Sequence, residues 1–144
     1  GVRPVIRLAR AGAAEAEVID SPLARVLETD VTWLDLTFDF LWWPDAAYEA
    51  DREGESVHGQ TCVVILVKPD AAIDGLSAVR LWVDKKTGCL MQAEQVDASG
   101  KPIRRLWGTR VKKMDGRWMV SVLEVETLGS RHRTKITVDA LRDL

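Results

Sequence analysis

Asp115-Gly116 stands between two β-rich runs. Asp-Gly in that setting is a strong short-range hairpin signal, because a two-residue turn matched to strand twist needs positive φ at both positions. Similar punctuation recurs along the rest of the chain: His58-Gly59, Lys86-Thr87-Gly88, Ala98-Ser99-Gly100 and Leu128-Gly129-Ser130. These turns divide everything after residue 45 into strands expected at 46–54, 59–68, 76–84, 89–97, 102–113, 117–127 and 131–139. Connections this short force neighbouring strands to be antiparallel, so at least the last five form a meander.

The strands are apolar on both sides. Along 117–127, Trp118, Val120 and Val122 share one face while Met119, Leu123 and Val125 share the other, and Cys62 to Val67 is an unbroken apolar run. A sheet with one face in water alternates more cleanly. Something apolar must therefore cover the second face: the segments before residue 45, a part of the protein preceding this sequence, or a ligand. Seven strands curling around such a cover leave room for an apolar cavity.

The first third is less regular. Residues 4–9 read as a short strand, and Ala11 to Glu17 as a linker. Ser21-Pro22 supplies an N-cap and a first-turn proline for a helix over 22–28 with Leu23, Val26 and Leu27 on one face. Thr32 to Phe40 carries two signals at once. Leu34, Leu36, Phe38 and Phe40 alternate as in a strand, whereas Thr32 and Asp35 resemble a helix cap. Pro44 then stops any helix, directly after the adjacent indoles of Trp42 and Trp43.

The 144 residues make one domain, and a formal charge of −2 provides no overall positive field for nucleic acid. The longest wholly apolar run, six residues, is far short of the about 20 that span a bilayer. The opening residues lack the pattern of a signal peptide, and the absence of an initial Met suggests a trimmed fragment. Cys62 and Cys89 each sit where a small apolar strand residue would serve, so a disulfide is the lesser expectation. His58 and His132 have no metal-ligand spacing, and nucleophile-elbow, phosphate-loop and zinc-helix motifs are missing. No catalytic residue, metal or cofactor is expected. Glu124 and Glu126 share a strand face, as a solvated side does. The basic group Lys101, Arg104, Arg105, Arg110, Lys112 and Lys113 offers an anionic head group or acidic partner a surface; the plainer reading is a solvated face balanced by nearby carboxylates. Six tryptophans is a high count for this length, and most are expected in the core.

Several phrases, in order, carry a resemblance: Thr32-Trp33-Leu34-Asp35-Leu36, Phe40-Leu41-Trp42-Trp43-Pro44, Val79-Arg80-Leu81-Trp82-Val83-Asp84-Lys85, Ala93-Glu94, Asp97-Ala98-Ser99-Gly100-Lys101, Asp115-Gly116-Arg117-Trp118 and His132-Arg133-Thr134. Over residues 28–139 the chain resembles the bacterial outer-membrane lipoprotein-sorting proteins of the LolA-like group. The resemblance implies a mainly β (α+β) fold, a curved antiparallel sheet forming an incomplete β-barrel with short helices over its concave face. It also implies a helix near Thr32 to Phe40, against the alternation. The expected organisation is a single LolA-like domain over 1–144 that lacks N-terminal elements of the full-length protein, with 1–19 a poorly defined leading segment.

By the same resemblance the expected function is non-enzymatic: a periplasmic or cell-envelope carrier that holds the acyl chains of a lipid or lipoprotein in its apolar half-barrel. The alternative is an envelope interaction or scaffolding domain whose half-barrel is filled by its own helix. Candidate ligand-lining residues are Trp33, Leu36, Phe40, Trp42, Trp43 and Trp82. Expected partners are a lipid or acylated lipoprotein and an envelope protein, with no nucleic acid and no transmembrane segment.

Overall fold

The computed structural model describes residues 7–8, 17–18, 23, 25, 31–32, 34–35, 39–130 and 133–137. Two short strands, β1 (Arg7–Leu8) and β2 (Glu17–Val18), pair antiparallel. A 3-10 turn, η1 (Asp39–Trp42), leads into β3 (Asp45–Tyr48), and a second turn, η2 (Ala50–Arg52), precedes β4 (Ser56–Val57). Then follow β5 (Gln60–Lys68), β6 (Ala78–Asp84), β7 (Leu90–Val96), β8 (Pro102–Met114), β9 (Arg117–Thr127) and β10 (Arg133–Thr137).

One antiparallel sheet runs β10-β9-β8-β7-β6-β5-β3, with β4 paired on β5. The order follows the sequence because each connection is too short for anything but a return beside the previous strand. His58-Gly59 and Asp115-Gly116 both have positive φ at the two turn positions, 48° and 78° for the first and 49° and 76° for the second. That is the geometry the hairpin twist demands. The sheet is not closed: β10 forms one edge and β3 the other.

The expected strand over 46–54 is much shorter. Its pairing with β5 ends at Tyr48, and the chain turns through η2 before β4. The helix expected over 22–28 lies mostly outside the described residues; Arg25, which is described, makes an isolated bridge to Thr32. The short strand expected within 4–9 is represented by β1. In the ambiguous stretch Leu34 and Asp35 are helical and η1 follows, while Trp33 and residues 36–38 lie outside the described set.

The two-sided apolarity of the strands is resolved by two separate clusters. Val67, Val79, Leu81, Ala93, Leu106 and Val125 bury one face of the sheet beneath Val31, Leu34, Phe40 and Trp43. These four described residues ahead of β3 therefore form a strap across that face. The other face carries a smaller cluster in which Val57 covers Cys62, Val64, Trp82, Cys89 and Met91. Both cysteines are buried and free. Cys62 is opposite Asp84 in register, and Asp84 N–H donates to the Cys89 carbonyl at 2.9 Å, so β6 runs between them. Two interstrand spacings, about 9–10 Å, exceed disulfide reach. Burial pushes the Cys62 thiol pKa up.

Long hairpin β8–β9 is kept close by a glycine. A Cβ on Gly108 would stand 2.7 Å from Val120 Cγ1, so only glycine lets that valine pack at this bulge.

Candidate ligand-binding cleft

The strap is fixed by a buried polar cluster. Thr32 N–H donates to Asp35 Oδ2 at 2.8 Å, and Asp35 N–H donates to Thr32 Oγ1 at 3.3 Å, a reciprocal cap. The same carboxylate accepts from Gln95 Nε2 at 2.8 Å and from Arg104 Nη2, both on the sheet. Arg104 Nη1 donates to Thr127 at 2.7 Å. Asp35 is fully buried, so its charge is tolerable only because so many donors converge on it.

Beyond this anchor, η1 alternates in and out. Phe40 and Trp43 point into the core and meet edge to face, ring centroids 6.4 Å apart at 75°. Residues three apart eclipse on a 3-10 turn, so the two between them are left outside. Leu41 is 51% exposed and Trp42 75%. Leu41 lines an apolar cleft of about 310 Å³ together with Leu90, Trp118, Met119, Val120, Leu123 and the Gly88-Cys89 pair. Leu90 and Leu123 belong to the strap-covered side of the sheet, and Trp118, 54% exposed, stands on the hairpin.

The opposite face of the sheet is a row of alternating charges, one per strand. Arg80 is opposite Glu94, Glu94 opposite Arg105, Arg105 opposite Glu126, and Glu126 opposite Arg133. Glu49 extends the row, accepting from Arg80 Nε at 2.7 Å, and this bond raises the Arg80 pKa. Arg105 lies 3.1 Å from Glu94 and Arg133 3.8 Å from Glu126, with the Arg133 guanidinium 5.4 Å over the Trp107 ring. A cavity of about 470 Å³ on this face is lined by three arginines, Arg52, Arg105 and Arg133, and three glutamates, Glu55, Glu94 and Glu126. Its charges cancel locally, so it attracts neither sign.

The six residues expected to line a ligand site are not brought to one surface. Phe40 and Trp43 are core residues of the strap itself, and Trp42, next to the cleft residue Leu41 in sequence, is exposed. Trp82 lies on the opposite face, its indole N–H donating to Glu55 at 3.1 Å. Trp33 and Leu36 lie outside the described residues. The cleft residues Leu90, Met119, Val120 and Leu123 were not singled out from sequence. The two-sided apolarity of 117–127 marks Met119, Val120 and Leu123 as strand positions only, and the assembled sheet is what brings them to Leu90 and Leu41.

A half-barrel of antiparallel strands, strapped on one face and open at an apolar cleft, is the LolA-like fold. Three solved structures share it. A protein described as an outer membrane lipoprotein-sorting domain, from Vibrio parahaemolyticus, matches over 89% of this chain at TM-score 0.72 and 16% identity. A LolA superfamily protein from Nitrosomonas europaea matches over 96% at TM-score 0.65 and 18% identity. A DUF1329 family protein from Desulfovibrio piger matches over 79% at TM-score 0.65 and 24% identity. The chain covers 55%, 62% and 48% of those three chains in turn. A family model described as "Uncharacterized protein" matches residues 20–142, and the chain belongs to that family. No curated protein matches it. Among the described residues no helix is long and apolar enough to cross a membrane.

Proposed function

We propose that this domain is a non-enzymatic binder of acyl chains, carrying a lipid or acylated lipoprotein in the periplasm or cell envelope of a bacterium. The observation that carries this reading is the apolar cleft between Leu41, the start of β7 and β9 in a LolA-like fold. Its volume falls at the low end of small-molecule sites, enough for part of one chain. Each buried CH₂ contributes about 0.8 kcal/mol before the cost of ordering the ligand.

In this reading the ligand lies against Leu41, Leu90, Met119, Val120 and Leu123, with Trp118 and Trp42 at the mouth. Phe40 and Trp43 support it by holding η1 in place. Trp82, on the far face, has no part in this cleft. An envelope partner that loads or receives the acylated cargo completes the proposal.

Titration with a fluorescent long-chain fatty acid tests it. The expected result is saturable binding that Leu41→Glu and Met119→Glu each weaken at least about tenfold, since a charge buried in an apolar cleft is strongly disfavoured. Unchanged affinity in both folded variants contradicts the assignment. Absence of binding favours a domain whose half-barrel is filled by its own strap.

A further inference from the structure

The structure divides the basic group at the end of the sheet. Arg104 and Arg105 are ion-paired, with Asp35 and Glu94. Arg110, Lys112 and Lys113 are exposed on hairpin β8–β9, and Arg117 joins them from its return strand. Lys85 and Lys86 stand on the turn between β6 and β7, Lys85 within 3.7 Å of Glu53. Residues 85–89 and 109–119 together hold these six cations and one carboxylate, Asp115, in a chain whose formal charge is −2.

Each segment also gives residues to the apolar cleft, Gly88 and Cys89 from the first and Trp118 and Met119 from the second, while none of the six cations lines it. Lys112 is opposite Met119 in register and Lys113 opposite Trp118, and both partners line it; Gly88 and Cys89 follow Lys86 directly. Leu41 and Trp118, both exposed, line the same cleft, and the exposed Trp42 follows Leu41 in the chain. Aliphatic walls, exposed indoles and a ring of cations on one end of a molecule match a surface that presents phosphates above acyl chains. Nucleic acid supplies the phosphates but nothing to fill an aliphatic cleft.

We propose that this end of the half-barrel docks on an anionic lipid bilayer, with Lys85, Lys86, Arg110, Lys112, Lys113 and Arg117 on the headgroups and Trp118 and Trp42 at the interface. The docking site rests on the acyl-binding reading of the cleft and names the surface from which a chain enters it.

Co-sedimentation of the 144-residue chain with vesicles tests the proposal, using phosphatidylcholine alone and an equal mixture with phosphatidylglycerol. The expected result is binding to the mixed vesicles, at least about tenfold stronger than to the neutral ones, and weakened as salt screens the headgroups. The double variant Lys112→Glu/Lys113→Glu should lose about tenfold or more on mixed vesicles while its binding of a soluble uncharged acyl probe, a fluorescent long-chain alcohol, is unchanged. Equal binding to both vesicle types, unchanged sedimentation of the double variant, or preference for single-stranded DNA over the mixed vesicles overturns it. If the probe binds and the vesicles do not, the docking surface fails and the acyl-binding reading stands. If charge-dependent vesicle binding persists without probe binding, the acyl-binding reading fails and the surface stands as a membrane contact.

Discussion

Arg104 donates to Asp35 across 69 positions of sequence, and the acceptor is fully buried. One residue belongs to the strap and the other to β8, so the pair ties the cover to the sheet it covers. Asp35→Ala leaves a guanidinium facing the core without its carboxylate, at a cost of about 3–5 kcal/mol. Urea unfolding reads this directly. Asp35→Leu/Arg104→Met should recover only part of that loss, because removing both charges removes their desolvation cost but leaves the buried Thr32 N–H and Gln95 Nε2 without this acceptor. A single-variant loss under about 1 kcal/mol is what a surface pair would give, and would deny the strap its anchor.

Neighbouring positions on η1 should behave oppositely. Phe40 is fully buried, and Phe40→Ala is expected to cost about 3–5 kcal/mol. Trp42, three-quarters exposed, should change stability by no more than about 0.5 kcal/mol when replaced by Ala. Thermal or urea unfolding of the two variants compares them, and similar losses would contradict the in-and-out arrangement of the turn.

At Gly108 the missing side chain leaves room for Val120 of the paired strand. Gly108→Ala introduces a methyl group into a stiff β-branched neighbour, with an expected loss of about 1–3 kcal/mol. Adding Val120→Ala should make the glycine substitution nearly harmless in that background. Additive losses in the double variant would show that the two positions do not compete for space.

Acid should loosen the β6–β7 turn. The Thr87 hydroxyl, 2.7 Å away, and the Lys86 N–H, 3.1 Å away, hold the Asp84 carboxyl below its ordinary pKa. The unfolded value is about 3.9, so the contribution is complete well above that pH and is lost as pH falls through it toward the lower folded value. Stability measured from pH 6 down to pH 3 should decline less steeply in Asp84→Asn than in the parent chain. Parallel profiles would remove Asp84 from the account.

The meander was legible because its information is local. Asp115-Gly116 and His58-Gly59 specify turns through their own backbone preferences, and short connections leave one topology. The requirement for a cover followed from strands apolar on both sides, and Leu34, Phe40 and Trp43 meet it on one face. The short pairing of β3 was hidden because residues 49–54 carry no signal strong enough to mark where a strand gives way to a turn. Trp82 was grouped with Trp42 and Trp43 by residue type, whereas strand parity places it on the far face with Val64 and Met91. The cleft was invisible for a related reason. Leu41, Leu90 and Leu123 are individually ordinary, and only the assembled sheet puts them side by side.

Native mass spectrometry of the purified chain, incubated with an acylated lipid and released into vacuum from non-denaturing buffer, tests the central claim most directly. The account predicts a one-to-one adduct whose occupancy falls sharply in Met119→Glu and is retained in Trp82→Phe, on the far face. An adduct that survives Met119→Glu unchanged but is lost in Trp82→Phe would contradict it and move the site to the other side of the sheet.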